Sequence, residues 1–157
     1  MHLIRLLPLF LVLSSFAAIA QQTLPATLTW LVTRVAQSSA EPLPTLPLRE
    51  AQRTLGTARQ RFQQGLPPTA RLYLTARVLN EAATPELVVI AVETWQGRQL
   101  RGWILRAGSS QQNTQLPVEF VEAAVHDWLL LHTDGREEGN YLGKYWNLEE
   151  KLAARPE

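Results

Sequence analysis

The chain has 157 residues, 15 basic and 14 acidic, with 46% hydrophobic residues and no cysteine. Near-neutral charge is ill suited to a nucleic-acid backbone or an anionic membrane surface, which reward excess positive charge, and this apolar content is not that of a disordered tail. Without cysteine there are no disulfides, thiolate metal sites, thiol catalysis or lipidated N-terminal cysteine.

Met1–Arg5 carries one Arg and one His, Leu6–Ala20 is uncharged and mostly aliphatic, and the run ends Ala18-Ile19-Ala20 before Gln21. This pattern predicts a cleaved signal peptide over 1–20 and a periplasmic or secreted product. The apolar run is short of the roughly 20 residues a spanning helix needs, so no stable membrane span is expected after cleavage. Cleavage removes Arg5 and no acid, leaving basic and acidic residues balanced.

Residues 24–36 fit two periods. Leu24, Leu28, Leu31 and Val35 fall at helical spacing, while Leu28, Trp30 and Val32 alternate with Thr27, Thr29 and Thr33. The β-branched and aromatic content tips the expectation towards a strand. Pro42, Pro44 and Pro47 then predict an extended connector, so residues 21–47 read as an N-terminal strand or helix and a Pro-rich link. The single folded domain is expected over 48–157.

Leu48, Ala51, Leu55, Ala58 and Phe62 form one apolar stripe, predicting a helix over 48–64 that ends at Gly65. The remainder reads as β. In 70–78 the even positions are apolar, whereas Arg71, Tyr73, Thr75 and Arg77 point the other way, the pattern of a strand with one wet face. Leu87–Trp95 is continuous enough for a central strand, and the turn Gln96-Gly97-Arg98 leads into a partner strand, 100–106. A polar loop, a short strand at 118–120, a longer strand at 125–132 and a turn at Asp134-Gly135 follow. A return strand over 138–142 and a short helix over 147–154 complete the reading. The fold class expected is α+β: one amphipathic helix on a mostly antiparallel sheet of five to six strands.

The segment Val125-His126-Asp127-Trp128, then Asp134-Gly135, then Gly139-Asn140-Tyr141, resembles the closing part of the bacterial family of domain of unknown function 2314. That family has a hydrophobic-x-Asp-Trp step before a hairpin and a Gly-x-aromatic strand. The helix at 51–62, the strand at 72–78 and Glu93-x-Trp95 extend the resemblance over 48–141. Between Gly102 and Val118 this chain lacks the family's Asn-x-Pro step and Gly-containing basic turn. The resemblance implies a fold and a compartment but no reaction.

Chemistry-bearing patterns are sparse. His126 and His132 lie about 20 Å apart on an extended strand, with Asp127 on the other face, so with Asp134 they make no single metal site. No G-x-S-x-G elbow frames Ser109-Ser110, and the phosphate-loop patterns are absent. Adjacent Glu137 and Glu138 face opposite ways and make a poor glycosidase pair. No cofactor is expected.

Two readings of surface remain. Arg71, Tyr73 and Arg77, with Trp95 and Trp103 flanking the Gly97 turn, form a candidate binding surface of the Arg- and aromatic-rich kind. Asp127, Trp128, Gly139 and Tyr141 form a candidate structural motif in which Asp127 caps backbone N–H groups at a strand bend. The expected function is non-enzymatic: a small envelope protein that binds another protein or a small ligand, not nucleic acid. An immunity-type inhibitor of a toxin and a hydrolase of an envelope polymer are the alternatives.

Overall fold

In the computed structural model, which describes residues 24–107 and 115–155, the ambiguous N-terminal stretch is a helix, α1, spanning Ala26–Gln37. Leu28, Leu31, Val32 and Val35 lie on one stripe, and all four are buried. The threonines that argued for a strand lie off that stripe; Thr33 Oγ1 donates to the Thr29 carbonyl one turn back at 3.0 Å. Intrinsic β preference is a weak bias that burial of a continuous stripe outweighs. The expected signal segment, 1–20, and the Ser109-Ser110 part of the polar loop lie outside the described residues.

Helix α2 spans Thr45–Gln64. Pro47 falls in its first turn, where backbone N–H groups have no helical acceptor and the missing donor is tolerated. Gly65 ends it at φ +90°. The strands are β1 (Ala70–Leu79), β2 (Pro85–Gln96), β3 (Gln99–Leu105), β4 (Gln115–Val121), β5 (Val125–His132) and β6 (Glu137–Gly139). A short 3-10 turn, Glu122–Ala124, precedes β5, and helix α3 spans Tyr141–Ala153. The sheet order is β4-β3-β2-β1-β5-β6, antiparallel throughout. The fold is α+β, with three α-helices among the described residues where the sequence predicted one long one and a short C-terminal one.

The sheet is buried on both sides. Leu55 and Ala58 of α2 pack on Leu72, Leu74, Ile90, Val125 and Trp128. On the opposite face Leu28, Leu31, Val32 and Val35 of α1, with Leu142 and Trp146 of α3, pack on Tyr73, Val89, Leu129 and Leu131. The wet face expected on β1 is therefore corrected at its centre: Tyr73 is 7% exposed and Thr75 4%. An element read as a strand left nothing to cover that face; as a helix, it covers it. Among the described residues no helix is long and apolar enough to cross a membrane.

Two bulges change which side chains share a face. Val92 pairs with Gly102 and Thr94 with Arg101, leaving Glu93 extra in β2. Thr75 pairs with Asp127 and Ala76 with Val125, leaving His126 extra in β5. Each extra residue reverses the in–out alternation beyond it.

Candidate functional site

The Arg71–Tyr73–Arg77 set does not form an open surface. Arg71 is exposed, but Tyr73 lies under α1, and burial raises its phenol above the usual value. Arg77 is half-buried; its Nη1 donates to the Ser39 carbonyl at 3.2 Å, while the Leu87 N–H donates to Ser39 Oγ at 3.0 Å. These polar positions fasten the link between α1 and α2 to the sheet. Trp95 and Trp103 are also separated. Beyond the bulge Trp95 pairs with Leu100 and joins the α2-side core, while Trp103 pairs with Ala91 on the other face. Trp95 is 4% exposed, and its Nε1 donates to Glu122 Oε2 at 3.0 Å. Without the bulge, alternation along β2 would put Trp95 on the same face as Ala91 and its partner Trp103.

Asp127, Trp128, Gly139 and Tyr141 do come together. Asp127 is 3% exposed. Its Oδ1 accepts the Trp128 N–H and its Oδ2 the Leu142 N–H, both at 2.8 Å. The carboxylate thus supplies, from a neighbouring strand, an acceptor for the open N–H groups that begin α3. Burial pushes this carboxyl up to about 6, against the opposing pull of the Leu142, Trp128 and Tyr141 N–H groups and the Lys144 charge. Trp128 Nε1 donates to Thr54 Oγ1 at 2.9 Å, tying β5 to α2. Tyr141 meets the Trp128 ring edge-on, with centroids 6.2 Å apart. Gly139 has φ +74°, and a Cβ there would lie 2.3 Å from the Trp128 carbonyl.

The helix whose first turn Asp127 caps, α3, forms one side of a groove of about 410 Å³ facing α1, to which Trp30, Glu137, Asn140, Lys144, Asn147 and Lys151 contribute. Asn140 starts α3 in the left-handed region at φ +56°, which Asn tolerates better than most residues. Its Nδ2 donates to Glu137 Oε2 at 2.7 Å, and its buried Oδ1 has no hydrogen-bond partner among the described residues. The amide lies over Gly143, where a Cβ would approach Oδ1 to 2.2 Å. Positions 144 and 151 are seven apart, almost two full turns, so they line the same side of α3.

Lys144 and Lys151 are the chain's two lysines, set against thirteen arginines. Among the described residues every ion pair uses an arginine or His132, and neither lysine takes part in one. The neighbouring acids are engaged elsewhere: Glu150 lies 4.0 Å from Arg34, and Glu149 accepts from the Tyr145 hydroxyl, raising that phenol. Sequence reasoning missed Trp30, Asn140, Asn147 and the two lysines as a site, because α1 was not assigned as a helix and the groove needs it. The one signal was the isolated pair of lysines in an arginine-rich chain.

A larger cavity, about 660 Å³, lies beside the ends of β1 and β3. Its lining is mainly aliphatic; of its three charged groups Arg106 and Glu86 satisfy each other at 2.5 and 2.9 Å, and the Glu81 charge also acts on Arg106.

The histidines do not converge. Burial and the Arg77 charge push His126 below its usual range. His132 Nδ1 accepts from Arg136 at 3.4 Å, and its Nε2 lies 3.1 Å from Glu138 Oε1. Glu137 and Glu138 diverge, the first to Asn140 and the second to Arg61 and His132. No group of three or more metal-ligating side chains occurs among the described residues.

No protein-family model, curated protein or solved structure matches the chain. The resemblance to the family of domain of unknown function 2314 rests on the quoted residues alone.

Proposed function

We propose that this is an exported, non-catalytic binding protein that takes a small polar ligand in the groove between α1 and α3. The observation that carries this reading is the convergence of a half-buried indole and two ammonium groups, unpaired among the described residues, on a groove beside α3, the helix whose first turn Asp127 caps. Binding sites of this kind pair a shaped cavity with a few polar groups on rigid elements. The converging groups are ammonium, amide, carboxylate and the Thr27 hydroxyl, which hold a ligand; among the described residues no hydrogen bond joins that hydroxyl to a base. This supports binding over the hydrolysis of an envelope polymer. Export rests on the pattern of residues 1–20.

The test is a thermal-shift screen of envelope-derived small molecules on the full chain and on Asn147→Trp, which places an indole in the groove. Ligands that raise the melting temperature of the parent and not of the variant support the reading. A set of hits indifferent to Asn147→Trp sinks it.

A further inference from the structure

The groove's side chains point to a ligand class, an inference that rests on the binding reading above. We propose that the ligand is an acidic oligosaccharide, its sugar ring against Trp30 and its carboxylates met by Lys144 and Lys151.

Both walls of the groove are helices, α1 and α3. Helix interiors satisfy their own backbone N–H and C=O groups, so an extended peptide would find no ladder to join. Recognition must come from side chains. Asn147 presents an amide that both donates and accepts, and Glu137 presents an acceptor. Sugar hydroxyls likewise donate and accept, which makes them the matching chemistry. Trp30 is half-buried, packed against the core that α1 shares with the sheet while lining the groove. The electron-rich face of an indole favours the weakly positive C–H face of a pyranose ring.

The charges specify the acid. Lys144 and Lys151 are exposed and unpaired among the described residues, and their Cα atoms are spaced about 10 Å along the helix axis. Two positive points in line along a groove suit an elongated ligand with more than one carboxylate. Glu137 beside them sets a limit. A thymidine phosphodiester chain has no free hydroxyl on its internal units to set against that carboxylate, whereas each unit of a sugar acid carries hydroxyls as well as its acid group and can turn a hydroxyl towards Glu137.

The experiment is isothermal titration of the full chain with tetragalacturonate, with an uncharged glucose tetramer and with a thymidine tetranucleotide, at two salt concentrations. The expected result is tetragalacturonate binding at least tenfold tighter than either control and weakening as salt rises. Lys144→Ala and Lys151→Ala should each weaken it about tenfold, Lys144→Arg and Lys151→Arg much less, with melting transitions unchanged. Equal binding of the uncharged tetramer, or tighter binding of the tetranucleotide, overturns the acidic-saccharide assignment. So does a failure of tetragalacturonate to bind. In that event the groove reading stands only if another small molecule binds the parent and is lost in Asn147→Trp, and falls with the assignment if none does.

Discussion

Asp127 Oδ2 accepts the Leu142 N–H at 2.8 Å, so a buried carboxylate on β5 holds the first turn of α3 in place. The contact joins residues fifteen positions apart and fixes one wall of the groove. It also sets a pH dependence. The folded protein holds this carboxyl at about 6, above its ordinary 3.8, so it binds the proton more tightly folded than unfolded. The stability Asp127 contributes is therefore full below its unfolded value and is lost as pH rises through about 6. Glu86 and Glu138 are held low by Arg106, and by His132 and Arg61, and their losses begin only near pH 5 and below. His126, pushed down, runs opposite to Asp127 across the same window, so the quantity to measure is wild type minus Asp127→Asn. From pH 7 to pH 5 wild type should gain about 1 kcal/mol over the variant in urea unfolding. A constant difference would refute the cap's titration.

Gly139→Ala and Gly97→Ala should differ sharply. Both glycines have positive φ, +74° and +59°, but only Gly139 sits against another chain segment, the Trp128 carbonyl and ring. Gly97→Ala should cost about 1 kcal/mol from backbone conformation alone. Gly139→Ala should cost roughly 3 kcal/mol, because β5 must move as well. Paired thermal melts decide it, with a much larger drop expected for Gly139→Ala.

Tyr73→Ala and Arg71→Glu separate a covered face from a wet one. Tyr73 lies beneath α1, so its truncation should lower stability by roughly 3–5 kcal/mol, in the range for a buried aromatic. Arg71 is exposed, and its reversal should change stability by less than about 0.5 kcal/mol. Comparable small effects from both would mean that α1 does not cover this face in solution.

Thr54→Val removes the acceptor of the Trp128 indole N–H and leaves that buried donor unmet. Loss of about 1–3 kcal/mol is expected, the penalty for an unsatisfied buried group. Thr54→Ser keeps the hydroxyl and should recover most of it. Chemical denaturation of the two variants tests this; a neutral Thr54→Val beside a destabilised Thr54→Ser would show that packing of the methyl group, not the hydrogen bond, matters.

Much of the fold was legible because local periods suffice where one rule applies. The stripe Ala51–Leu55–Ala58–Phe62 has no strand-like alternative, and its helix is there. The turns at Gly97 and Gly135 needed only positive φ, and both glycines have it. The nearly continuous apolar run 87–95, unbroken over 87–92, has a place only inside a sheet, and β2 lies between β1 and β3. The Asp127–Trp128 and Gly139–Tyr141 steps stood out through the family resemblance, although Tyr141, expected on a return strand, begins α3, and the partners Leu142 and Thr54 were not legible.

By itself the sequence determined the fold class, the main helix, most strand positions and the turns, because these follow from residue spacing and from backbone conformations only a few residues adopt. The tertiary structure alone decided three things. It decided that residues 26–37 are helical, since their alternating threonines and their apolar stripe are both real and only burial against β2, in the core on that face of the sheet, selects the stripe. It decided where Trp95 and Trp103 point, since one extra residue at Glu93 reverses the alternation and nothing local announces a bulge. And it decided the candidate site, because Trp30 and Lys151 are far apart in the chain and meet only when the sheet holds α1 and α3 side by side.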